Sequence, residues 1–248
     1  MRLRSGLLIG IFGLIVVLLG GWFFTIAIAL LTYIALLEFF RMAEFTGIKP
    51  ATKTTLFSCL IIIISTYLET IDLIDREISS SILPICSIVI CTWLLLQPKS
   101  GTIADIAASI FGLFYLGFLP SYWIKLRAFD WTVINSLEGG TSIENFSYST
   151  GLYLTLTSCF LIVASDIGSY FFGKLFGKRS LSPISPSKTI EGLFGGITCS
   201  ILLATLIAFL LDWGNPILIG ILYGILVSLM ALVGDLIESM MKRDAKIK

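Results

Sequence analysis

The sequence predicts an all-α, polytopic membrane helix bundle with about eight transmembrane helices. Of its 248 residues, 56% are hydrophobic and 13% are charged, whereas soluble domains carry about 25% charged residues. The mean hydropathy is +0.98. The apolar residues fall into successive runs, most of them close to the roughly 20 residues that a helix needs to cross a bilayer. This composition excludes a soluble enzyme.

Two helices are predicted in the first apolar run, from Gly6 to Phe40, because about 35 residues are too many for one crossing. Gly20-Gly21 is the predicted turn between them. A signal peptide ending near the triplet Ala27–Ala29 is disfavoured, since the apolar run continues past it. The other spans are predicted near Thr55–Leu68, Ser81–Gln97, Thr102–Trp123, Gly151–Phe172, Thr189–Leu211 and Pro216–Met241.

The basic residues predict the orientation of these spans. With a cytoplasmic N-terminus and eight crossings, all but three of the 17 Lys and Arg residues lie on the cytoplasmic side, as the positive-inside rule requires. The three exceptions are Arg76, Lys125 and Arg127. We therefore expect an inner-membrane protein with both ends in the cytoplasm. Residues 1–248 are expected to form one membrane domain, with N-terminal helices at 1–123, an extracytoplasmic loop at 124–150 and catalytic helices at 151–248.

The acidic residues divide into two groups. Half of the 16, including Glu69, fall in the outer loops and are expected to be solvated. Asp105 lies in the first turn of a span, where the helix dipole favours an acid. Asp166 and Asp235 lie deep in the sixth and eighth spans. An acid there costs about 2.5–3.5 kcal/mol, so these two are expected to face a cavity, a partner or a metal.

The stretch Ser165–Gly196 interrupts the apolar sequence with Asp166, several cations and two Ser-Pro steps. Proline disfavours helix at the residue before it, so the middle of this stretch is predicted to be a cytoplasmic loop, at 173–188. Helical spacing places Asp235, Glu238 and Lys242 on one face. Two acidic helix faces meeting under a basic loop would form a pocket for a phosphate substrate and a divalent metal.

Simpler interpretations stay open for the same residues. Asp166 could instead hold helices together as a polar contact, and Lys174, Lys178 and Arg179 could be ordinary flanking charges. The glycine pairs are expected to allow close helix packing; they are Gly192 with Gly196 and Gly220 with Gly224. The five cysteines lie in or beside apolar runs and the chain has no histidine, which disfavours a zinc site and excludes histidine-based catalysis.

Three segments resemble the integral-membrane phosphatidate cytidylyltransferases, also called CDP-diacylglycerol synthases. They read GKLFGKR from Gly173, SPISPSKTIEG from Ser182 and GDLIESMMKRDAKIK from Gly234. The resemblance implies transfer of the cytidylyl group of CTP to phosphatidate with Mg²⁺, a second metal being left open. The family's C-terminal signature is matched up to its lysine, at Lys248. The signature's second metal-binding aspartate would lie beyond Lys248, so the resemblance leaves open whether the chain as given is active.

The resemblance also implies roles for particular residues. Asp235 would be a metal ligand, and Asp166 occupies the position of the family's intramembrane aspartate, so both are expected to act in catalysis and metal binding. Lys188 is expected to act in catalysis and, with Ser185 and Thr189, to belong to the nucleotide-phosphate motif. Further substrate contacts are expected from Lys178, Arg179, Glu191, Lys242 and Arg243.

The expected partners are CTP, phosphatidate and the lipid bilayer, with no nucleic acid; a homodimer is left open. A phosphate monoester is already an anionic nucleophile, so the reaction needs charge neutralisation and positioning rather than a histidine base. Two alternatives belong to other classes. A CTP-dependent prenol-type lipid kinase would share the acids and the basic segment. A transporter or scaffold is disfavoured because the sequence has no internal repeats.

Overall fold

The structure is a computed structural model that describes residues 2–75, 78–97, 101–129, 150–182 and 185–246. Most of the predicted outer loop at 124–150 and the end at Lys248 lie outside these residues. The described part forms eight helices and one β-hairpin: α1 (Arg2–Leu19), α2 (Gly21–Phe45), α3 (Thr52–Thr70), α4 (Ile78–Leu95), α5 (Ile103–Ala128), α6 (Thr150–Phe176), β1 (Ser180–Ser182), β2 (Ser185–Thr189), α7 (Ile190–Leu210) and α8 (Pro216–Asp244).

Helices α2 to α8 are each long and apolar enough to cross a membrane. The apolar part of α1 is shorter and covers Leu8–Leu19. The prediction of an all-α, multi-pass membrane protein is confirmed, with seven full-length spans among the described residues. The hairpin is the only β-structure among the described residues.

The break between α1 and α2 lies at the predicted Gly20-Gly21 turn. Both residues have positive φ values, 63° and 49°, a conformation that glycine adopts without steric cost. Arg127 of α5 donates from Nε to the carbonyl oxygen of Val17 at 2.8 Å and from Nη2 to that of Leu18 at 3.4 Å. These are among the carbonyls left without helical partners at the end of α1, so Arg127 stabilises the break.

The chain divides into two compact units, and the first comprises Met1–Thr155. Its core joins α2, α3, α4 and α5 through fully or almost fully buried side chains, among them Phe40, Ile62, Ile90 and Leu113. Helix α5 changes to π-helical geometry over Gly112–Phe118.

Asp105 lies in the first turn of α5, as predicted, and does more than complement the helix dipole. It forms a capping box with Thr102, in which each side chain accepts a hydrogen bond from the other residue's backbone N–H. The same carboxylate accepts from the backbone N–H of Lys49 at 2.6 Å. Ser109, one turn later, accepts from that of Ala51 at 2.9 Å. The connection between α2 and α3 is therefore held against the start of α5.

The prediction that Glu69 is a solvated outer-loop acid is wrong. Glu69 is only 4% exposed, and its carboxylate lies 2.8 Å from Lys125 Nζ. Ser79 donates to Glu69 from its backbone N–H and its hydroxyl, and accepts from Lys125 at 3.0 Å. Burial is tolerated because the carboxylate gains a counter-ion and hydrogen-bond donors. The network joins the ends of α3, α4 and α5.

The second unit comprises Leu156–Lys248. Leu161 of α6, Ala204 of α7 and Val227 of α8 form its small core. A Cβ built on Gly224 of α8 would lie 2.6 Å from Cα of Ile201 in α7. One turn earlier, a Cβ on Gly220 would overlap the backbone of Thr205. The expectation that this glycine pair allows close helix packing is confirmed.

Candidate active site

Small residues bring α6 and α7 into contact beside Asp166. A Cβ on Gly192 of α7 would lie 2.7 Å from the carbonyl oxygen of Ser169 and 3.2 Å from Cα of Gly173, both in α6. A Cβ on Gly196 would lie 2.7 Å from the carbonyl oxygen of Ser165. Side chains on these glycines would push the two backbones apart. The predicted packing role of this second pair is therefore also confirmed, and it sets the position of Asp166 relative to α7.

The basic segment after α6 forms a hairpin, whereas an irregular loop was expected. Strands β1 and β2 are antiparallel, with Ser180 opposite Thr189 and Ser182 opposite Ser185. The two residues between the strands, 183–184, lie outside the described part. Proline excludes helix here, as predicted, but it is tolerated in an edge strand. Both strands of a two-stranded ribbon are edges, so the Ser-Pro sequence is compatible with a hairpin.

Glu191 closes the base of the hairpin. Its carboxylate accepts hydrogen bonds from the backbone N–H of Lys178 at 3.1 Å and of Arg179 at 3.4 Å. The carbonyl oxygen of Arg179 accepts from the backbone N–H of Ile190 at 3.0 Å. Thr189 caps α7, its hydroxyl oxygen accepting from the N–H of Gly192 at 3.1 Å. These contacts connect both ends of the basic segment to the first turn of α7.

The hairpin carries Lys188 to α8. Lys188 is the fourth residue of β2, one position before the helix cap, and its Nζ lies 2.5 Å from Oδ2 of Asp235. The two side chains are 29% and 47% exposed, respectively. The sequence predicted a site role for each residue, but it did not predict that they form an ion pair. Residues 47 positions apart on different elements have no spacing relationship that could have indicated this contact.

Asp166 completes this group of charges. Its carboxylate interacts electrostatically with both partners, attractively with Lys188 and repulsively with Asp235. The structure thus brings Asp166, Lys188 and Asp235 together within the second unit. Lys188 is therefore an attractive partner of both carboxylates, and a bound cation would reduce the repulsion between Asp166 and Asp235.

The remaining predicted site residues are exposed, buried or engaged with other partners. The side chains of Lys178 and Arg179 are exposed at the start of the hairpin, whereas Ser185 is buried. Glu191 and Thr189 use their side-chain oxygens in the hairpin base and the helix cap. Lys242 pairs with Glu238 of its own helix. Lys242 and Arg243 lie seven and eight residues beyond Asp235, about 10–12 Å along α8.

The donor set fits a hard divalent cation that is also held by substrate. No group of three or more Asp, Glu, Cys or His side chains suitable for a metal occurs among the described residues. Mg²⁺ is usually held by one or two carboxylates together with substrate phosphates and water. Asp166 and Asp235 provide two carboxylates, and Lys188 provides a cation that can contact phosphate. The residues present therefore fit a metal–nucleotide complex better than a metal bound by protein alone.

The chain is similar to known cytidylyltransferases. The model of the "Cytidylyltransferase family" matches residues 1–248. A Synechocystis protein named "Phosphatidate cytidylyltransferase" is 42% identical over 93% of this chain and 80% of its own length. The Arabidopsis thaliana "Phosphatidate cytidylyltransferase 4, chloroplastic" is 32% identical over 94% of this chain and 61% of its own. The Bacillus subtilis "Phosphatidate cytidylyltransferase" is 28% identical over 100% of this chain and 85% of its own.

The family match over residues 1–248 and the Bacillus subtilis match over 100% of this chain include the segments that carry the candidate site. The chain spans about three-fifths of the length of the plant relative and at least four-fifths of that of the two bacterial relatives. The full-length family match and the 42% identity to the Synechocystis protein establish that the chain belongs to the cytidylyltransferase family.

Proposed function

We propose that this protein transfers the cytidylyl group of CTP to phosphatidate. The phosphate oxygen of phosphatidate forms a bond to the α-phosphorus of CTP, the bond between the α-phosphorus and its bridging oxygen breaks, and pyrophosphate leaves. The products are CDP-diacylglycerol and pyrophosphate. Family membership and the names of the relatives support the reaction. The multi-pass membrane architecture suits a lipid substrate.

The observation that carries this proposal is the meeting of Asp166, Lys188 and Asp235 in one group. Charged groups in membrane-spanning helices cost free energy, so where they occur they usually belong to a functional site. The chain has no histidine, and the reaction needs none, because the phosphate of phosphatidate is already a nucleophile. Its main requirement is neutralisation of the charge that accumulates on the triphosphate.

We further propose that Asp166 and Asp235 hold Mg²⁺ together with the phosphates of CTP. The metal would supply charge neutralisation at the nucleotide phosphates. Lys188 would contact a phosphate oxygen directly, and the hairpin cations Lys178 and Arg179 would attract the triphosphate from solution. The exposed positions of both hairpin cations support this role.

For the orientation, we propose that the hairpin and both chain ends face the cytoplasm of a cell with an inner membrane. The support is the concentration of basic residues on that side when the shorter helix α1 is counted as a crossing together with the seven longer spans. CTP is a cytoplasmic metabolite, so the hairpin would meet its substrate on that side.

Two labelled forms of CTP separate this function from a lipid kinase. Membranes containing the protein are incubated with phosphatidate and either α- or γ-labelled CTP. We expect the α-label, and not the γ-label, in the lipid product. Incorporation of the γ-label into lipid would instead establish a kinase and contradict the proposal.

Asp235→Asn tests the site in the same assay. We expect about a 10²-fold or greater loss, because an electrostatic contact to the reacting phosphates is removed. Asp212→Asn is the matched control, since Asp212 is an exposed acid in the turn between α7 and α8; its activity should equal that of the unchanged protein. Near-normal turnover of Asp235→Asn would remove this residue from the site.

A further inference from the structure

Asp235 has a cation of its own chain in direct contact with it, Lys188. Lys188 Nζ lies 2.5 Å from Oδ2 of Asp235, which is direct contact between the two charged groups. Both side chains are partly exposed to solvent, so the pair can separate without leaving either charge buried and unpaired. Lys188 is attached to a hairpin whose base is fixed by Glu191, Thr189 and Ile190. The strand therefore places the lysine stem, and the four-carbon side chain determines how far the ammonium group can move.

We propose that Lys188 is an exchangeable counter-ion: it occupies Asp235 in the nucleotide-free protein and transfers to a nucleotide phosphate when the metal–nucleotide complex binds. This inference rests on the proposed function, because it assumes that Asp235 holds a metal during the reaction. An ammonium group at this distance and a divalent cation on the same carboxylate oxygen would repel each other strongly. Binding of a metal at Oδ2 of Asp235 therefore requires Lys188 to move away.

The nucleotide gives Lys188 a new partner. A triphosphate brings several anionic oxygens that an ammonium group can contact as well as it contacts a carboxylate. The attraction between Asp166 and Lys188 gives the side chain a second anion in the same site, so the ammonium group does not lose all its partners as it moves. Metal and nucleotide should consequently bind with positive coupling, and linkage requires that each raises the affinity for the other by the same factor.

Loss of an exchangeable counter-ion should raise the affinity for a divalent cation, whereas loss of an ordinary binding residue would lower it. Removing the charge of Lys188 should strengthen divalent-cation binding to the nucleotide-free protein and weaken nucleotide binding. Lys188→Met removes the charge and keeps much of the apolar stem. Lys188→Arg keeps a cation beside Asp235 and should leave the affinity for Mn²⁺ close to that of the unchanged protein. Lys174→Met is the matched control, because Lys174 lies in the last turn of α6, shortly before the hairpin, and has its Nζ over the Tyr170 ring, 5.9 Å from the centroid.

The measurement is a titration of purified, detergent-solubilised protein with Mn²⁺ in the absence of nucleotide, followed by electron paramagnetic resonance of the free ion. We expect Lys188→Met to bind Mn²⁺ at least about fivefold more tightly, the lower end of common coupling effects. Lys188→Arg and Lys174→Met should remain within about twofold of the unchanged protein. Unchanged or weaker Mn²⁺ binding by Lys188→Met would overturn the inference.

A double variant shows whether the gain occurs at Asp235. Adding Asp235→Asn to Lys188→Met should abolish the tighter Mn²⁺ binding, and retention of the gain would overturn the inference. The outcome is separate from that of the proposed function, which the labelled-CTP assay decides. Tighter Mn²⁺ binding without any lipid product would support the counter-ion and refute the proposed reaction. Lipid product with unchanged Mn²⁺ binding would do the reverse.

Discussion

The carboxylate of Glu191 accepts a hydrogen bond from the backbone N–H of Lys178, 3.1 Å away and 13 residues earlier in the chain. A second bond, from the N–H of Arg179, falls on the same oxygen. Glu191 therefore acts on the basic segment through its backbone, and the lysine and arginine side chains stay available for a phosphate. Its position in the first turn of α7 also suits the helix dipole.

We predict that Glu191→Ala loosens the hairpin while Glu191→Gln largely preserves it. Alanine provides no acceptor for the two N–H groups, whereas the glutamine amide oxygen can still accept. Glu191→Ala should raise the KM for CTP several-fold with a smaller change in kcat, and trypsin should cut faster after Lys178 and Arg179. Equal cleavage rates in both variants and in the unchanged protein would contradict the positioning role.

Lys188→Ala should impair the handling of CTP. If the ammonium group contacts a phosphate, its loss removes a charge-assisted hydrogen bond, and kcat/KM for CTP should fall about 10- to 100-fold. Lys174→Ala removes a charge from the last turn of α6 and serves as the control, with a change of less than about threefold. Unchanged KM and kcat for Lys188→Ala would make Lys188 an ordinary flanking charge.

Lys125→Met should destabilise the first unit by about 3 kcal/mol, because it leaves the Glu69 carboxylate buried without its counter-ion. Thermal unfolding in detergent measures the effect. The double variant Glu69→Gln with Lys125→Met should recover part of the loss, since the unpaired charge is then gone. Glu44→Gln changes an exposed acid of α2 and should have little effect. A loss in the double variant equal to the sum of the single losses would contradict a coupled pair.

Gly224→Ala should destabilise the second unit by about 1–3 kcal/mol, the range common for overpacking. The added methyl would lie 2.6 Å from a backbone atom of α7, so the helices must separate. Gly13→Ala is the control, because no atom lies within 4 Å of the corresponding position in α1. This control should be neutral or slightly stabilising, as alanine favours helix over glycine. Equal thermal stability of the two variants would argue against close packing of α7 and α8.

Much of the architecture could be predicted because it follows from local sequence. Apolar runs of membrane length must satisfy their backbone hydrogen bonds internally, which makes them helices in lipid. The break at Gly20-Gly21 and the first-turn position of Asp105 follow from backbone conformation and helix-end electrostatics, and both were predicted. The glycine pairs of α7 and α8 were also recognised, since small residues at helical spacing favour close packing.

The hairpin and the environment of Glu69 could not be predicted in this way. Proline in the basic segment excludes helix, but it does not distinguish an irregular loop from a two-stranded ribbon, which depends on pairing between residues such as Ser180 and Thr189. The position of Glu69 after an apolar run is typical of a solvated acid. It can be buried because Lys125 and Ser79, on other helices, form an ion pair and a hydrogen bond with its carboxylate.

The sequence by itself determined that this protein is a multi-pass helical membrane protein, and it indicated which acids and cations to examine. The tertiary structure decided which of those charges meet: Lys188 contacts Asp235, Asp166 interacts with both, and Lys242 pairs with Glu238 of its own helix. The physical reason is that helix formation depends on neighbours along the chain. An ion pair between elements depends on how closely their backbones approach, and here glycine contacts among α6, α7 and α8 set that approach.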